Sequence, residues 1–387
     1  MRTTLFKTAA LAIGLFGVVQ PTEAQEQTQV ELRGGVRTSG ALTQSFEFTD
    51  NQNLTGGGGS FKSLTGLDFS LSSRTALSTV SATTGATVRF GKGGFSLTRP
   101  KLTLGFETNT KRVKYNGRVS YLKAPTSVDE LQTDLSVLTV DADRTVVSGN
   151  FGLNTRLNQS TSLGLGIRGT LIDFDPTSAS LVPSTDFGLT GKLSYRLNRR
   201  TSYSLNGALG SFEADSATST ESLSASLDGQ VTHQLNSSSQ FDGNLGFAFI
   251  DTSDTVGTAT TSAFSVSLLF GAGLTQTLPD GSMAISLNQE VNPSASGALA
   301  LGTRLNGSFT KNVNSNESYK IGASLGRQED IGGGTVTTFI NVAPSYTRQL
   351  TRDVSATASY FVQRDDAGST AQGLTLSFTR PFDFPLR

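Results

Sequence analysis

The chain contains no cysteine and no tryptophan, only two methionines, and a single histidine, His233. Without cysteine there is no disulfide, no thiolate metal site and no lipid-modified N-terminal cysteine. One histidine removes most catalytic constellations, because a triad needs a base and an orienting group within hydrogen-bond reach. His233 shares the parity of Val231 and Leu235, which puts it on an outward face near a turn; with Leu235 opposite Phe241, Asp242 falls on the other face. Charge is also scarce, at 16%, and 31 basic residues balance 31 acidic ones. A nucleic-acid partner requires a basic excess, so none is expected. Past residue 24 no apolar run approaches the roughly 20 residues a membrane helix needs. The longest, from Val266 to Leu274, is broken by Ser267, Gly271 and Gly273. No catalytic residue, metal or cofactor is expected.

What remains is rich in glycine (42) and phenylalanine (24), and it alternates. In DFGLTGKLSYRLNRRTSYSLNGALG, beginning at Asp186, Phe187, Leu189, Leu193, Tyr195 and Leu197 interleave with Gly188, Thr190, Lys192, Ser194 and Arg196. The alternation resumes with Tyr203, Leu205 and Leu209. The same pattern marks Leu67, Phe69 and Leu71; Leu102, Leu104 and Phe106; and Phe264, Val266, Leu268 and Phe270. Period two means strands with two chemically different faces. Between them a turn motif recurs, as RLNQST, RLNRRT, QLNSSS, TLPDGS, NVNSNE and QLTRDV. Its apolar members Leu157, Leu197, Leu235, Leu278, Val313 and Leu350 return every 35 to 43 residues, one hairpin plus one longer connection. The longer connections are 173–185, 213–221, 251–261 and 364–371, several of them acidic.

Strands are expected at 41–50, 62–72, 77–90, 95–107, 113–122, 146–157, 161–172, 186–197, 201–212, 222–235, 241–250, 262–277, 283–291, 298–311, 318–327, 335–349, 354–364 and 372–382. The first three are weakly marked, leaving 16 as an alternative to 18. A soluble sandwich would also alternate, with its apolar face packed inside. An apolar face repeated over so many strands, short turns alternating with long loops, and a small-polar second face fit better with lipid, where every backbone group must pair between strands and no edge can remain. The expected fold is all-β, a closed antiparallel transmembrane β-barrel of about 18 strands over residues 25–387. It follows a secretory leader, 1–24, in which Arg2 and Lys7 flank an apolar run from Ala9 to Val19 and cleavage falls after Ala24.

The leader, the hairpin repeat and the length resemble Gram-negative outer-membrane β-barrels of the porin type. The resemblance implies outer-membrane lipid as surroundings, the barrel assembly machinery as a partner, short turns in the periplasm and 173–185, 213–221 and 251–261 outside; a homo-oligomer is left open. That family ends on an alternating strand with a terminal aromatic residue. Leu374, Leu376, Phe378 and Phe382 match this assembly signal, although the chain continues through Phe384 to Arg387. Aromatic girdles would rest on Tyr115, Tyr121, Tyr195, Tyr203, Tyr319, Tyr346 and Tyr360, helped by phenylalanine.

GLGIRG, from Gly164 to Gly169, has dinucleotide-binding spacing but lies within a strand with no helix after it. GKGG (91–94) and GGGGS (56–60) read as loops. The informative group is the inward-parity charge: Lys101, Lys114, Arg118, Arg156, Arg168, Lys192, Arg196, Arg304 and Lys320 against Glu107, Asp228, Asp242 and Glu290. In a water-filled lumen this excess favours anions or neutral polar solutes, unless the charges pair locally and select nothing. The connection 123–144 either folds inward as a constriction or extends two strands, and extension is favoured slightly. The function expected is a passive pore for small hydrophilic solutes, mildly anion-favouring and non-enzymatic. The alternative is a non-channel structural or accessory barrel of an envelope system such as polysaccharide export.

Overall fold

Alternation of this length leaves each strand one apolar and one polar face, and an 18-fold meander satisfies both by closing on itself. The computed structural model describes residues 36–50, 59–91, 94–126, 142–175, 181–215, 218–294, 296–331, 336–366 and 368–384. The expected leader and the middle of the 123–144 connection lie outside these residues. The strands are β1 (Val36–Asp50), β2 (Ser60–Arg74), β3 (Ser78–Gly91), β4 (Gly94–Asn109), β5 (Val113–Pro125), β6 (Asp143–Arg156), β7 (Thr161–Asp175), β8 (Ser184–Arg196) and β9 (Thr201–Asp215). They continue with β10 (Ser219–Gln234), β11 (Ser239–Val256), β12 (Ala259–Leu278), β13 (Gly281–Pro293), β14 (Leu299–Asn314), β15 (Glu317–Asp330), β16 (Val336–Thr351), β17 (Val354–Asp365) and β18 (Thr370–Phe384).

Each strand pairs antiparallel with its neighbour in sequence, and β1 pairs with β18, so the 18-stranded sheet has no edge. The closing register runs from Thr38 opposite Phe384 to Asp50 opposite Gln372. Strands of 12 to 20 residues rise about 3.3 Å per residue, and at a tilt near 40° even the shortest covers roughly 30 Å, the thickness of a hydrocarbon layer. The outer face carries the large apolar side chains, among them Leu67, Phe106, Leu165, Leu205, Phe247, Phe264 and Leu374, all exposed. The closing strands carry aromatic cover there. Phe382 lies over Gly40 in contact with its Cα region and meets the ring of Phe69 edge-on at 6.0 Å.

The recurring turn motif has a common cause. Asn158, Asn198 and Asn236 each accept hydrogen bonds at Oδ1 from the backbone N–H two residues on, at 2.8 Å in all three. These are Asx turns, in which a side chain stands in for the backbone. The N–H of Leu157, Leu197 and Leu235 closes each turn onto the carbonyl of Thr161, Thr201 or Ser239. Thr75 and Thr110 do the same work with a hydroxyl, accepting from the N–H of Ser78 and Val113. The leucines project outward, as do Val313 and Leu350, so the motif repeats because each turn ends an apolar belt. Of the tyrosines, Tyr195 and Tyr203 stand opposite each other on this side, as do Tyr319 and Tyr346, whose rings lie 4.8 Å apart. The girdle is therefore strongest at the short-turn end.

Three expectations change. The connections 213–221 and 251–261 are mostly strand: β9 reaches Asp215, β10 starts at Ser219, and β11 and β12 pair up to Val256 opposite Ala259. The turn there is made possible by Gly257, at φ +61°. Residues 364 and 365 and residues 370 and 371 likewise belong to β17 and β18. The second change is local: His233, not Leu235, stands opposite Phe241, while Asp242 pairs with Thr232 on the other face. The third is a bulge between β3 and β4, where Arg99 and Pro100 both face Ala86. It reverses parity, so that Phe95 and Leu97 point outward before the bulge and Leu102, Leu104 and Phe106 after it. Arg99 adopts φ +52° to form it.

Candidate functional site in the barrel lumen

The lumen is lined by the residues of opposite parity to the exposed leucines and phenylalanines. The charges singled out from the sequence lie at positions of that parity in their strands. The structure separates them by what they touch. Lys101 Nζ meets Asp68 Oδ1 at 2.8 Å, bridging β4 to β2 across β3. The bridge passes over Gly85, whose missing side chain leaves room for the Asp68 carboxylate and the Lys101 stem. Lys114 Nζ meets Glu107 Oε1 at 2.8 Å. Arg168 lies flat over Gly188 with its Nε 3.7 Å from Asp186 Oδ2. Lys192 Nζ donates to Gln230 Oε1 at 3.0 Å. Asp228 accepts from Asn206 at 2.7 Å, and Asp242 accepts from Thr232 and Gln240 at 2.7 and 2.8 Å. Arg304 stacks its guanidinium 5.8 Å from the centroid of Phe339.

Among the described residues, Arg118, Arg156, Arg196, Glu290 and Lys320 carry no ion pair and no side-chain hydrogen bond. The lumen is thus asymmetric: hydrogen-bonded carboxylates sit on β10 and β11, and free guanidiniums on β5, β6 and β8. The sector from β16 through β18 to β1 carries hydroxyl pairs, Thr347 and Thr357, Ser45 and Ser377, and Thr43 and Thr379 at 3.0, 2.9 and 3.2 Å. Asp68 and Asp186 were missed in the sequence, though Asp68 has the parity opposite to Leu67 and Phe69 and was legible there.

A uniformly polar inner face is the expectation that fails. At the long-loop end the inward positions are apolar and covered. Phe174 on β7, Phe212 and Ala214 on β9, and Ala248 and Ile250 on β11 are all buried. Their cover comes from two connections. Val182, before β8, packs with Phe212, Ala214, Ala248, Ile250 and Leu299, the first residue of β14. Leu181 packs with Phe174 and Ala142. The two connections touch: a side chain on Gly297 would sit 2.8 Å from Val182 Cγ1 and 3.2 Å from Ala214 Cβ, and Gly297 itself holds φ +81°. A hydrogen bond from Ser294 N to Ala298 O at 2.8 Å ties the β13 to β14 loop, and Ile331 N donates to Leu299 O at 2.8 Å. Val182, just before β8, and Leu299, at the start of β14, thus pack onto the inner wall of β9 and β11. The signal in the sequence was a break in alternation: apolar Phe212 and Ile250 appear at the parity of the polar face, Ile250 directly after outward Phe249.

No protein-family model and no curated protein matches the chain. Solved structures of Pseudomonas aeruginosa resemble it in architecture. OpdQ superposes with a TM-score of 0.49 at 9% identity, covering 90% of this chain and 98% of that one. OpdK, solved with vanillate, gives 0.49 at 10% identity, covering 90% and 99%. OccK8 (OprE) gives 0.49 at 13% identity, covering 91% and 100%. At such low identity, the functional reading rests on this chain's own geometry.

The short-turn half of the lumen is lined by hydroxyls and amides with cations on one side, and the long-loop half carries the buried apolar clusters. Among the described residues no carboxylate is paired with His233: it faces outward where β9 pairs with β10, its Nδ1 2.9 Å from Thr201 Oγ1. GLGIRG lies inside β7, so its glycines shape a wall.

Proposed function

We propose that this barrel resides in a bacterial outer membrane once its leader is removed, and that it conducts small hydrophilic solutes passively, with a mild preference for anions and no enzymatic activity. The observation that carries the reading is the pairing of a leucine and phenylalanine exterior with a polar, partly cationic interior in one edgeless sheet. Hydrocarbon outside and water inside account for both faces at once. The anion preference follows from Arg118, Arg156 and Arg196, which carry no ion pair among the described residues, whereas Lys101, Lys114 and Arg168 are locally paired. In the membrane its partners are lipid and, through outward Leu374, Leu376, Phe378 and Phe382 on the closing strand, the assembly machinery. Homo-oligomer formation stands as part of this proposal.

The apolar cover over β9 to β11 favours a second reading, an accessory barrel of an envelope system whose mouth is closed. Single-channel recording of refolded protein in planar bilayers separates the two. Discrete ion-conducting steps support the channel, and silence in bilayers that demonstrably contain folded barrel supports the accessory role. If conduction is seen, a salt gradient should give a reversal potential of anion-selective sign. Replacing Arg118, Arg156 and Arg196 together by glutamine should move it to or past neutrality.

A further inference from the structure

The charges at the short-turn end of this barrel are easy to overlook because the whole chain is neutral, yet their sign is not evenly spread among the turns. At the β12 to β13 and β14 to β15 turns, cations meet carboxylates: Lys311 lies 3.6 Å from Asp280, and Arg348 lies 3.4 Å from Glu317. At the three consecutive turns between β4 and β9 they do not. The β4 to β5 turn presents Lys111 and Arg112, β6 ends on Arg156, and β8 ends on Arg196. Among the described residues, none of these four has an ion pair or a side-chain hydrogen bond.

These side chains share one cavity of about 450 Å³, which also takes in Lys114 and neutral donors such as Asn154, Ser162 and Ser194. No carboxylate lines it. The nearest acid, Glu107, is engaged by Lys114 and by Asn109 Nδ2 at 2.9 Å. The floor is fixed by backbone bonds between turns: Arg156 N donates to Arg112 O at 2.9 Å, and Arg196 N to Ser160 O at 2.7 Å. Arg156 and Arg196 stand on strands two apart, roughly 10 Å across the sheet, so both long side chains can reach one ion held between them. Clustered like charges without counter-charge are costly unless an anion joins them, and guanidinium forks suit oxyanions, which they grip through two parallel N–H donors.

We infer that the short-turn mouth of the lumen is a binding site for a small multivalent oxyanion, a phosphate or dicarboxylate, held by Arg156 and Arg196 with Lys111, Arg112 and Lys114 around it. The site deepens the anion preference proposed above and depends on this half of the lumen being wet, but it does not require solute to pass the far mouth. It faces the lumen, which selects a soluble anion over a lipid headgroup.

Isothermal titration of inorganic phosphate into refolded full-length protein in uncharged detergent tests it, at constant ionic strength set with chloride, with succinate titrated in a second arm to separate phosphate from carboxylate recognition. Saturable binding near one equivalent is expected for at least one of the two. Affinity should fall at least tenfold in the Arg156→Gln, Arg196→Gln double variant and only partly in the doubly lysine-substituted protein, while Arg327→Gln at the opposite end leaves it unchanged. Heat-modifiable gel migration confirms that each variant is folded. Absence of saturable binding by either anion, or an unchanged affinity in the folded glutamine variant, overturns the site. Bilayer recording of the same preparations keeps the two readings apart: binding without conduction removes the channel and keeps the site, and conduction without binding does the reverse.

Discussion

Two single residues show how closely this sheet is fitted. Arg99 holds φ +52°, a left-handed conformation that costs a side-chain-bearing residue about 1–2 kcal/mol. It does so because β4 must carry one residue more than β3 to keep Leu97 and Leu102, on either side of Pro100, both facing lipid. Glycine accepts that conformation freely but loses more chain entropy on folding. Arg99→Gly should therefore stabilise the barrel by roughly 0.5–1 kcal/mol, read as a higher urea midpoint with unchanged slope; a lower midpoint would show that Arg99 makes a contribution its backbone strain hides. Gly85 illustrates the opposite need. The Lys101 to Asp68 bridge crosses two strand spacings only because the intervening position has no side chain.

At the scale of elements, the two inward connections meet over the inner wall at the long-loop mouth. Val182 and Gly297 are their point of contact, and Gly297 combines a positive φ with a close approach. Gly297→Val cannot keep both, so the β13 to β14 connection should lift from the inner wall. The expected outcome is a larger single-channel conductance from a barrel of unchanged circular dichroism; equal conductance would mean that this contact does not set the narrow point. The strands themselves were legible in the sequence, including β1, β2 and β3 with weaker marking, because lipid on one side and water on the other enforce a strict period of two. Strand ends were not. In β11, Asp251, Thr252, Ser253, Asp254 and Thr255 are polar on both faces, as water on both sides demands, and such a stretch reads as loop although its hairpin pairing continues. The bulge at Arg99 and the apolar lining at Phe212 and Ile250 also escaped the pattern, since both reverse parity locally. One does so to restore the lipid face and the other to pack a connection inside the barrel. The parity of the charged positions was legible. Pairing was not, because it depends on strand register and on which inward neighbours are glycine.

For the whole molecule, the neutral total of 31 basic and 31 acidic residues conceals an organised distribution. Asp228 and Asp242 on β10 and β11 are hydrogen-bonded, Arg118, Arg156 and Arg196 on β5, β6 and β8 are not, and the apolar lining gathers at one mouth. All of it presupposes that the leucine and phenylalanine face meets hydrocarbon while the other face meets water. The absence of native cysteine makes that premise directly measurable, because a nitroxide can be placed at any single introduced cysteine along β10. Electron paramagnetic resonance accessibility in lipid vesicles should alternate. Labels at Leu223, Ala225 and Leu227 should collide strongly with oxygen and weakly with a water-soluble nickel chelate, and labels at Ser224, Ser226 and Asp228 should show the reverse. Low oxygen accessibility at the leucine positions, the behaviour of side chains packed inside protein, would contradict the account.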